Sequence, residues 1–153
     1  MNNYIIDTNI FEWISDRSHP HHLACVEHLS LLSDDDVVYF PIISLYETQY
    51  SIANFPSNAT EEKGRVQAAL DSALGSFTLA NLSTAGAVIF GELKSKYKSS
   101  LPNTKENIKK HNFDILLASI SIDYAATLVS NDKIFKQIES LDSRLNTADW
   151  STR

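Results

Sequence analysis

Apolar residues in this chain form short continuous runs that alternate with longer stretches of helical spacing. Runs of strand length occur at YIID, VVYF, FTLANL and TLVSND (residues 4–7, 37–40, 77–82 and 127–132). Between them, apolar positions three and four apart predict helices over about 22–32, 44–55, 60–75, 84–97, 112–126 and 133–140. Strands that alternate with helices, with no long linker or repeat, predict one α/β domain over residues 1–153, with a mainly parallel central sheet flanked by helices.

Composition narrows the class of protein. The chain has 153 residues and a single cysteine, Cys25, so a core of ordinary size is available and an internal disulfide is not. No basic and apolar leader precedes the first strand, and no apolar run reaches the length of a membrane span, so we expect a cytoplasmic protein without membrane contact. The net charge of −6 argues against sequence-independent adhesion to nucleic acid over the whole surface.

Four acidic residues lie where an apolar element ends or begins. Asp7 follows the strand YII, Asp132 follows the strand TLVS, and two further acids fall in the first turns of predicted helices, Glu47 and Asp114. The carboxyl ends of parallel strands meet at one edge of a sheet, which is where open α/β folds place their sites. We therefore expect the four carboxylates to converge.

Each acid also has an ordinary structural explanation. Asp7 and Asp132 are residues of the kind that cap the following helix, and Asp114 suits the positive end of a helix dipole. Ser44 and Glu47 have the spacing of a capping box. Only the convergence of the four favours a site over four separate caps.

Clustered carboxylates repel one another unless a cation neutralises them. Mg²⁺ or Mn²⁺ suits such a cluster, because these ions prefer oxygen ligands and are commonly held by one or two carboxylates together with phosphate oxygens. Ions held in this way activate water and stabilise charge on a phosphodiester. The pattern indicates phosphodiester cleavage.

These residues resemble the PIN-domain nucleases, and most closely the VapC-type toxins of bacterial and archaeal toxin–antitoxin pairs. The resemblance covers nearly the whole chain and lies in IIDTNIF, PIISLYETQYSI, FDILLASISI, LVSNDKIF and TADW. It implies an acidic pocket that binds Mg²⁺ or Mn²⁺ and hydrolyses RNA to 5′-phosphate and 3′-hydroxyl ends. It also implies a small VapB-like antitoxin as partner, and we expect a homodimer.

The resemblance assigns roles to individual positions. Asp7 and Asp114 align as the chief metal ligands, while Glu47 and Asp132 complete the catalytic pocket. Two weaker candidates stand beside them: Ser130, whose hydroxyl could orient a carboxylate or water, and Asn9. Many relatives carry a further Asp two residues after the last acid, where this chain has Ile134, which puts a second metal in doubt.

Six lysines lie between the helix at 84–97 and Asp114: Lys94, Lys96, Lys98, Lys105, Lys109 and Lys110. They predict either a solvated helix end and loop or a stripe that contacts RNA phosphates, for which Lys105, Lys109 and Lys110 are the candidates. The aromatic residues Tyr46 and Tyr50, four positions apart, predict a core or partner contact rather than base stacking.

Other functions stay open on the sequence. A PIN-fold module without catalysis would bind RNA or protein, and a housekeeping nuclease would process RNA without an antitoxin. A metal-dependent phosphatase would more naturally carry a second Asp where Asn9 stands. For the antitoxin we expect an exposed groove between the helix at 44–55 and Phe11, Trp13 and Ile14, although a homodimer contact could cover the same surface.

Overall fold

The computed structural model describes residues 1–100 and 105–152; the side chain of Lys105 also falls outside it. Five strands form within these residues: β1 (Asn3–Ile6), β2 (Val37–Pro41), β3 (Thr78–Ala80), β4 (Thr127–Val129) and β5 (Asn146–Ala148). Eight helices accompany them: α1 (Thr8–Ser15), α2 (His22–Ser30), α3 (Ile42–Ala53), α4 (Thr60–Ser76), α5 (Thr84–Ser100), α6 (Lys105–Lys110), α7 (Asn112–Asp123) and α8 (Lys133–Leu141).

All five strands are parallel and follow the order β3-β2-β1-β4-β5. The predicted α/β class with a mainly parallel sheet is confirmed. Because the strand order reverses at β1, the chain leaves β1 toward β2 on one side and later returns to β4 on the other. The carboxyl ends of β1 and β4 therefore form the topological switch point, the usual position of a site in such sheets.

Apolar layers cover both faces of the sheet. Ile5 and Leu128 are fully buried in one layer, with α5, α7 and α8, and Ile6 and Val129 belong to the other. Successive residues of a strand point to opposite faces, so the continuous apolar runs of β1 and β4 supply both layers at once. These layers hold the ends of the two strands, and the residues that follow them, in fixed positions.

Three elements were not predicted from the sequence: α1, α6 and β5. On the sequence the Thr8-Asn9 pair predicts a turn, but it begins α1, so only Asp7 separates β1 from the helix. The tail TADW contains part of β5, a short edge strand that pairs with β4. The stretch SSLPNT (residues 99–104) predicts a break between helices, but it falls partly on residues 101–104, which lie outside the described residues.

Helix α2 holds the end of the described chain. Ring nitrogens of His21 and His28 lie 3.0 and 2.9 Å from the carbonyl oxygens of Ser151 and Thr152. Trp150, 4% exposed, stacks on His28 with ring centroids 5.7 Å apart. His21 and His28 thus hold the end of the described chain against α2. None of the helices in the described part of the chain has both the length and the apolar character needed to cross a membrane.

Candidate active site

Asp7 and Ser130 meet at the switch point. The Ser130 hydroxyl donates to a carboxylate oxygen of Asp7 at 2.8 Å, and the backbone N–H of Asp132 donates to the same hydroxyl at 3.1 Å. The backbone N–H of Asp7 donates to the Val129 carbonyl at 3.1 Å, which continues the pairing of β1 with β4. Ser130 therefore restrains one oxygen of Asp7. Orienting a carboxylate is one of the two roles that we suggested for its hydroxyl.

The position of Asp7 is costly for a charged carboxylate. It stands at the N-cap position of α1, yet its side chain makes no capping hydrogen bond to the helix. Burial raises its pKa from 3.8 to about 6, with further upward contributions from the charges of Asp114 and Glu47 and an opposing one from the Ser130 hydrogen bond. Helix capping does not account for this residue, and three of the four predicted acids share one electrostatic environment.

Glu47 reaches the pocket from α3 through Thr8. The Thr8 hydroxyl donates to a carboxylate oxygen of Glu47 at 2.5 Å and lies 2.8 Å from the Ser44 hydroxyl. The predicted capping box is wrong, because α3 begins at Ile42 rather than at Ser44. Ser44 is instead buried within the helix, and Glu47 lies beyond its first turn. Thr8 thus ties α3 to the start of α1.

Asp114 lies in the first turn of α7, as predicted. Nδ1 of His111 lies 2.8 Å from one of its oxygens. Partial burial raises the pKa of Asp114, the charge of Asp132 adds to this, and His111 and Lys110 oppose it. Asp132 is therefore close enough to couple with the same group.

Asp132 caps a helix and also lies near the pocket. Its side chain caps α8, and its charge raises the pKa of Asp114. One carboxylate oxygen accepts the backbone N–H of Ile134 at 3.1 Å at the start of α8. Ile134 is 6% exposed and belongs to the core. A carboxylate at that position would be buried among apolar side chains, so the substitution by Ile is consistent with local packing.

The pocket acids contrast with Asp142, a buried acid elsewhere in the chain. Lys96 and Arg144 each contact Asp142 at 2.8 Å, and the hydrogen bonds from Arg144 hold its pKa well below the usual range. In the part of the chain that the structure describes, Asp7, Glu47 and Asp132 have no ion pair with a basic side chain. Among the described residues, only His111 and Lys110 oppose the negative charge of the pocket, and both act on Asp114.

These donors suit a hard divalent ion that retains water. Within residues 1–100 and 105–152, no three His, Cys, Asp or Glu side chains are arranged to enclose an ion. Mg²⁺ does not need such a cage, since one or two carboxylates, waters and substrate phosphates commonly complete its shell. Asp7 and Asp114, coupled and buried more than the others, are the residues that fit this description best.

Sequence reasoning missed two neighbours of the site. Glu12 lies on α1, four residues after Thr8, and both partial burial and the charge of Glu47 raise its pKa. His111 stands three residues before Asp114. The signal was helical spacing: an α1 helix assigned from Thr8 places Glu12 on the same face, and a helix starting at Asn112 places His111 at its cap.

A cavity of about 320 Å³ opens beside Glu12, between α1, α3 and α4. Its apolar lining includes Phe11, Phe55 and Val66, and Arg65 adds a positive charge. This is the region where we expected a groove, but Trp13 does not line it and stacks on His19 instead. On the same helix α3, two tyrosines are 74% and 72% exposed, which rules out a core role for Tyr46 and Tyr50.

The six lysines do not act as one group. Lys96 is committed to Asp142, and Lys94 lies over the ring of Phe90. Lys109 and Lys110 are exposed at the end of α6, and Lys110 is near enough to lower the pKa of Asp114. Lys105 cannot be placed, because its side chain lies outside the described residues. Asn9 is exposed in the first turn of α1.

The chain is similar in fold to several solved bacterial proteins. A chain of VapBC2 from Rickettsia felis, bound to a DNA fragment from its promoter, is 26% identical with a TM-score of 0.74, over 97% of this chain and 98% of that one. DNA-bound VapBC from Salmonella typhimurium gives 16% identity and a TM-score of 0.72 over 98% and 99%. VapBC-5 from Mycobacterium tuberculosis, from a family of toxin–antitoxin systems, gives 15% and 0.63 over 97% and 98%.

No curated protein matches the sequence. The sequence profile of the PIN domain matches residues 4–141. This range contains the four predicted acids and strands β1 to β4 apart from Asn3. The expected resemblance to PIN-domain proteins of the VapC type is confirmed by this match and by the similar VapBC structures. With most of its residues inside that profile, the chain belongs to the PIN domain family.

Proposed function

We propose that this chain is a Mg²⁺- or Mn²⁺-dependent endoribonuclease and the toxin of a toxin–antitoxin pair. The observation that carries the proposal is the group of acids at the switch point of the sheet, in which partial burial and the charges of Asp114 and Glu47 raise the pKa of Asp7 to about 6. Its place in a PIN-domain fold of the VapBC kind favours nucleic acid as the substrate. We propose that the protein acts in the cytoplasm, because its proposed substrate is cellular RNA.

The pocket residues divide the work between holding an ion and orienting its neighbours. Asp7 and Asp114 would hold the ion, and Ser130 keeps Asp7 in one orientation through its 2.8 Å hydrogen bond. When bound, such an ion lowers the pKa of a water and stabilises charge on the phosphate. Glu47, fixed by Thr8, and Asp132, fixed by the start of α8, are placed to accept hydrogen bonds from water in the pocket.

RNA would approach along the side of the pocket formed by α6 and α7. Lys109 and Lys110 are exposed there, and cationic side chains that contact phosphates both attract and position a nucleic acid. The chain as a whole carries a net charge of −6. The two exposed lysines would therefore favour the approach of RNA from this side of the protein.

Cleavage of a panel of structured cellular RNAs tests the proposal. Purified protein should cleave with Mg²⁺ or Mn²⁺ and stop with a chelator, and D114N should lower the rate by at least about 10²-fold while circular dichroism stays native. Binding without cleavage under every condition would favour a PIN-fold module that has lost catalysis. Cleavage that resists the chelator would contradict the proposed metal chemistry.

The partner is proposed to be a small VapB-like antitoxin that lies in the cavity between α1, α3 and α4. Phe11, Phe55 and Val66 offer an apolar floor, and the exposed Tyr46 and Tyr50 extend the surface along α3. An amphipathic segment fits such a groove. A homodimer could cover the same surface, and we propose the dimer as well, because either partner would bury these aromatic side chains.

Expression in a bacterial host distinguishes a toxin from a housekeeping nuclease. We expect a short reading frame for the antitoxin beside the gene of this chain. The chain alone should arrest growth, and co-expression with that reading frame should restore growth. Harmless expression of a catalytically active protein would favour the housekeeping role. D114N serves as the control, since a protein toxic through RNA cleavage loses its effect when the pocket is disabled.

A further inference from the structure

His111 makes a side-chain contact that helix formation does not require. It occupies the N-cap position of α7, but its side chain accepts no capping hydrogen bond from the backbone N–H groups of the helix. Its Nδ1 atom lies 2.8 Å from Oδ2 of Asp114 instead. The histidine at this cap is therefore directed toward one of the two carboxylates proposed to hold the ion.

The ring of His111 is held from several sides. It packs edge-on against Tyr97 of α5, with ring centroids 5.9 Å apart and an interplanar angle of 70°, and Tyr97 is only 3% exposed. Its backbone N–H donates to the Asn107 carbonyl at 3.3 Å, and its carbonyl accepts the N–H of Ile115 at 2.9 Å. The side chains of His111 and Asp114 are 24% and 29% exposed, so both are partly shielded from water.

The hydrogen bond has a defined direction. An ionised carboxylate only accepts hydrogen bonds, so the ring nitrogen facing Asp114 carries the hydrogen and donates it. This occupies Oδ2 of Asp114 and leaves Oδ1 without a contact from His111. A side chain restrained at one oxygen presents the other in a narrower range of directions.

We infer that His111 is a positioning residue that orients Asp114 for a divalent ion. This inference rests on the proposed metal-dependent function but concerns a residue that contacts neither ion nor substrate. Groups that orient metal-bound side chains typically change metal affinity by about 10- to 100-fold when removed. His111 acts in the same sense as Ser130, whose hydroxyl restrains one oxygen of Asp7.

Titration with Mn²⁺, followed by calorimetry and by the electron paramagnetic resonance signal of the free ion, tests the inference without any RNA. H111L removes the donor, H111Q moves it farther along the side chain, and H111N keeps a donor near the position of Nδ1. We expect H111L and H111Q to weaken Mn²⁺ binding by about 10- to 100-fold and H111N to keep most of the affinity. The matched control is H28N, which alters a histidine on α2 that contacts the Thr152 carbonyl.

The outcomes separate this inference from the proposed function. Suppose that the wild-type protein binds Mn²⁺ and D7N does not, which supports the proposed metal site. Equal Mn²⁺ affinity in H111L, H111Q and H111N would then overturn the positioning role alone. Wild-type protein that binds no Mn²⁺ overturns both. The H111N and H111Q comparison stays informative if H111L fails to fold, because both amides are polar and of similar size. Electron spin echo modulation from a directly bound imidazole nitrogen would also overturn the inference, since His111 would then be a ligand.

Discussion

At the scale of single residues, Asp7 is the clearest sign of function, because the structure holds it where its charge is unfavourable. Burial and the charges of Asp114 and Glu47 raise the pKa of Asp7 by more than the hydrogen bonds from the Ser130 hydroxyl and the Thr8 backbone lower it. The sequence could predict the acids from their positions at strand ends. The resemblance also singled out Ser130 as a hydroxyl that could orient a carboxylate. Neither pattern nor resemblance predicted Thr8 or His111 as hydrogen-bond partners of Glu47 and Asp114, because those contacts depend on side-chain geometry that appears only in the folded chain.

D7N should stabilise the protein in the absence of metal. The pKa of Asp7 rises from 3.8 to about 6 on folding, and about 1.4 kcal/mol per pKa unit gives an upper bound near 3 kcal/mol at neutral pH. Because the folded pKa is the higher one, the favourable contribution of protonated Asp7 is present below about pH 4 and is lost as the pH rises through about 6. The gain in D7N should therefore appear at about pH 7.5 and vanish near pH 4.

Urea unfolding with a chelator at these two pH values measures the effect. Asparagine retains a carbonyl that can accept from Ser130, so the substitution removes the charge and keeps the contact. D35N, in the exposed turn before β2, is the matched control and should change the free energy of unfolding little at either pH. A D7N effect of the same size at both pH values would contradict the assigned cause.

At the scale of elements, most helices were predictable, either from apolar residues at helical spacing, as in α8, or from a mostly apolar segment of helix length, as in α7. Helix α1 was missed because it has only eight residues and begins almost directly after β1. In addition, Thr-Asn is a common turn sequence. Strand β5 has three residues and lies at the sheet edge, where pairing with β4 rather than its own sequence determines the structure. The equally short β3 and β4 were predictable because each lies in a mostly apolar run, which β5 lacks.

The end of α7 contains a strained residue that can be tested. Ala125 has a φ of 48°, and the N–H groups of Ala125 and Ala126 donate to the carbonyls of Ile122 and Ser121 in the pattern of a Schellman motif. Glycine adopts this conformation without the steric cost that Cβ imposes, so A125G should raise the free energy of unfolding by about 1 kcal/mol.

Thermal and urea unfolding give the measurement, and A87G provides a matched control. Ala87 is likewise exposed but lies inside α5, where glycine should lower stability by up to about 1 kcal/mol. Opposite signs for the two Ala-to-Gly changes are expected. A loss of stability in A125G would show that the left-handed geometry at Ala125 costs nothing.

At the scale of the whole molecule, the parallel sheet brings segments far apart in sequence to one edge. Asp7 and Ser130 are 123 residues apart yet share a hydrogen bond. The alternation of apolar runs predicted this convergence, because all parallel strands end at the same edge. The division of the lysines was not predictable: Lys96 pairs with Asp142, which follows α8, so only the folded chain separates it from Lys109 and Lys110.

K109A/K110A should weaken RNA binding and reduce its dependence on salt. Each phosphate contact to single-stranded RNA contributes a slope of about 0.7 in the logarithm of affinity against the logarithm of salt concentration, so losing two contacts should lower the slope by about 1.4. Fluorescence anisotropy in a D7N background avoids cleavage during the titration. Mn²⁺ affinity, measured for K109A/K110A with Asp7 intact, should not fall, because the substitutions remove only positive charge from the neighbourhood of Asp114.

The control for charge is K63A/K136A, which removes two lysines on α4 and α8. Both double variants carry the same net charge, so a general electrostatic effect would change their salt slopes equally. An unaltered slope in K109A/K110A, or an equal change in the control, would show that the end of α6 is ordinary solvated surface.

The most direct measurement is the chemistry of the RNA ends at a mapped cleavage site. We predict 5′-phosphate and 3′-hydroxyl ends with wild-type protein and Mg²⁺, no fragments with a chelator, and at least about 10²-fold slower cleavage by D7N, because the pocket and its ion direct water at the phosphate. Fragments with 2′,3′-cyclic phosphate ends, formed in the presence of chelator or at an undiminished rate by D7N, would contradict a metal-dependent nuclease centred on Asp7.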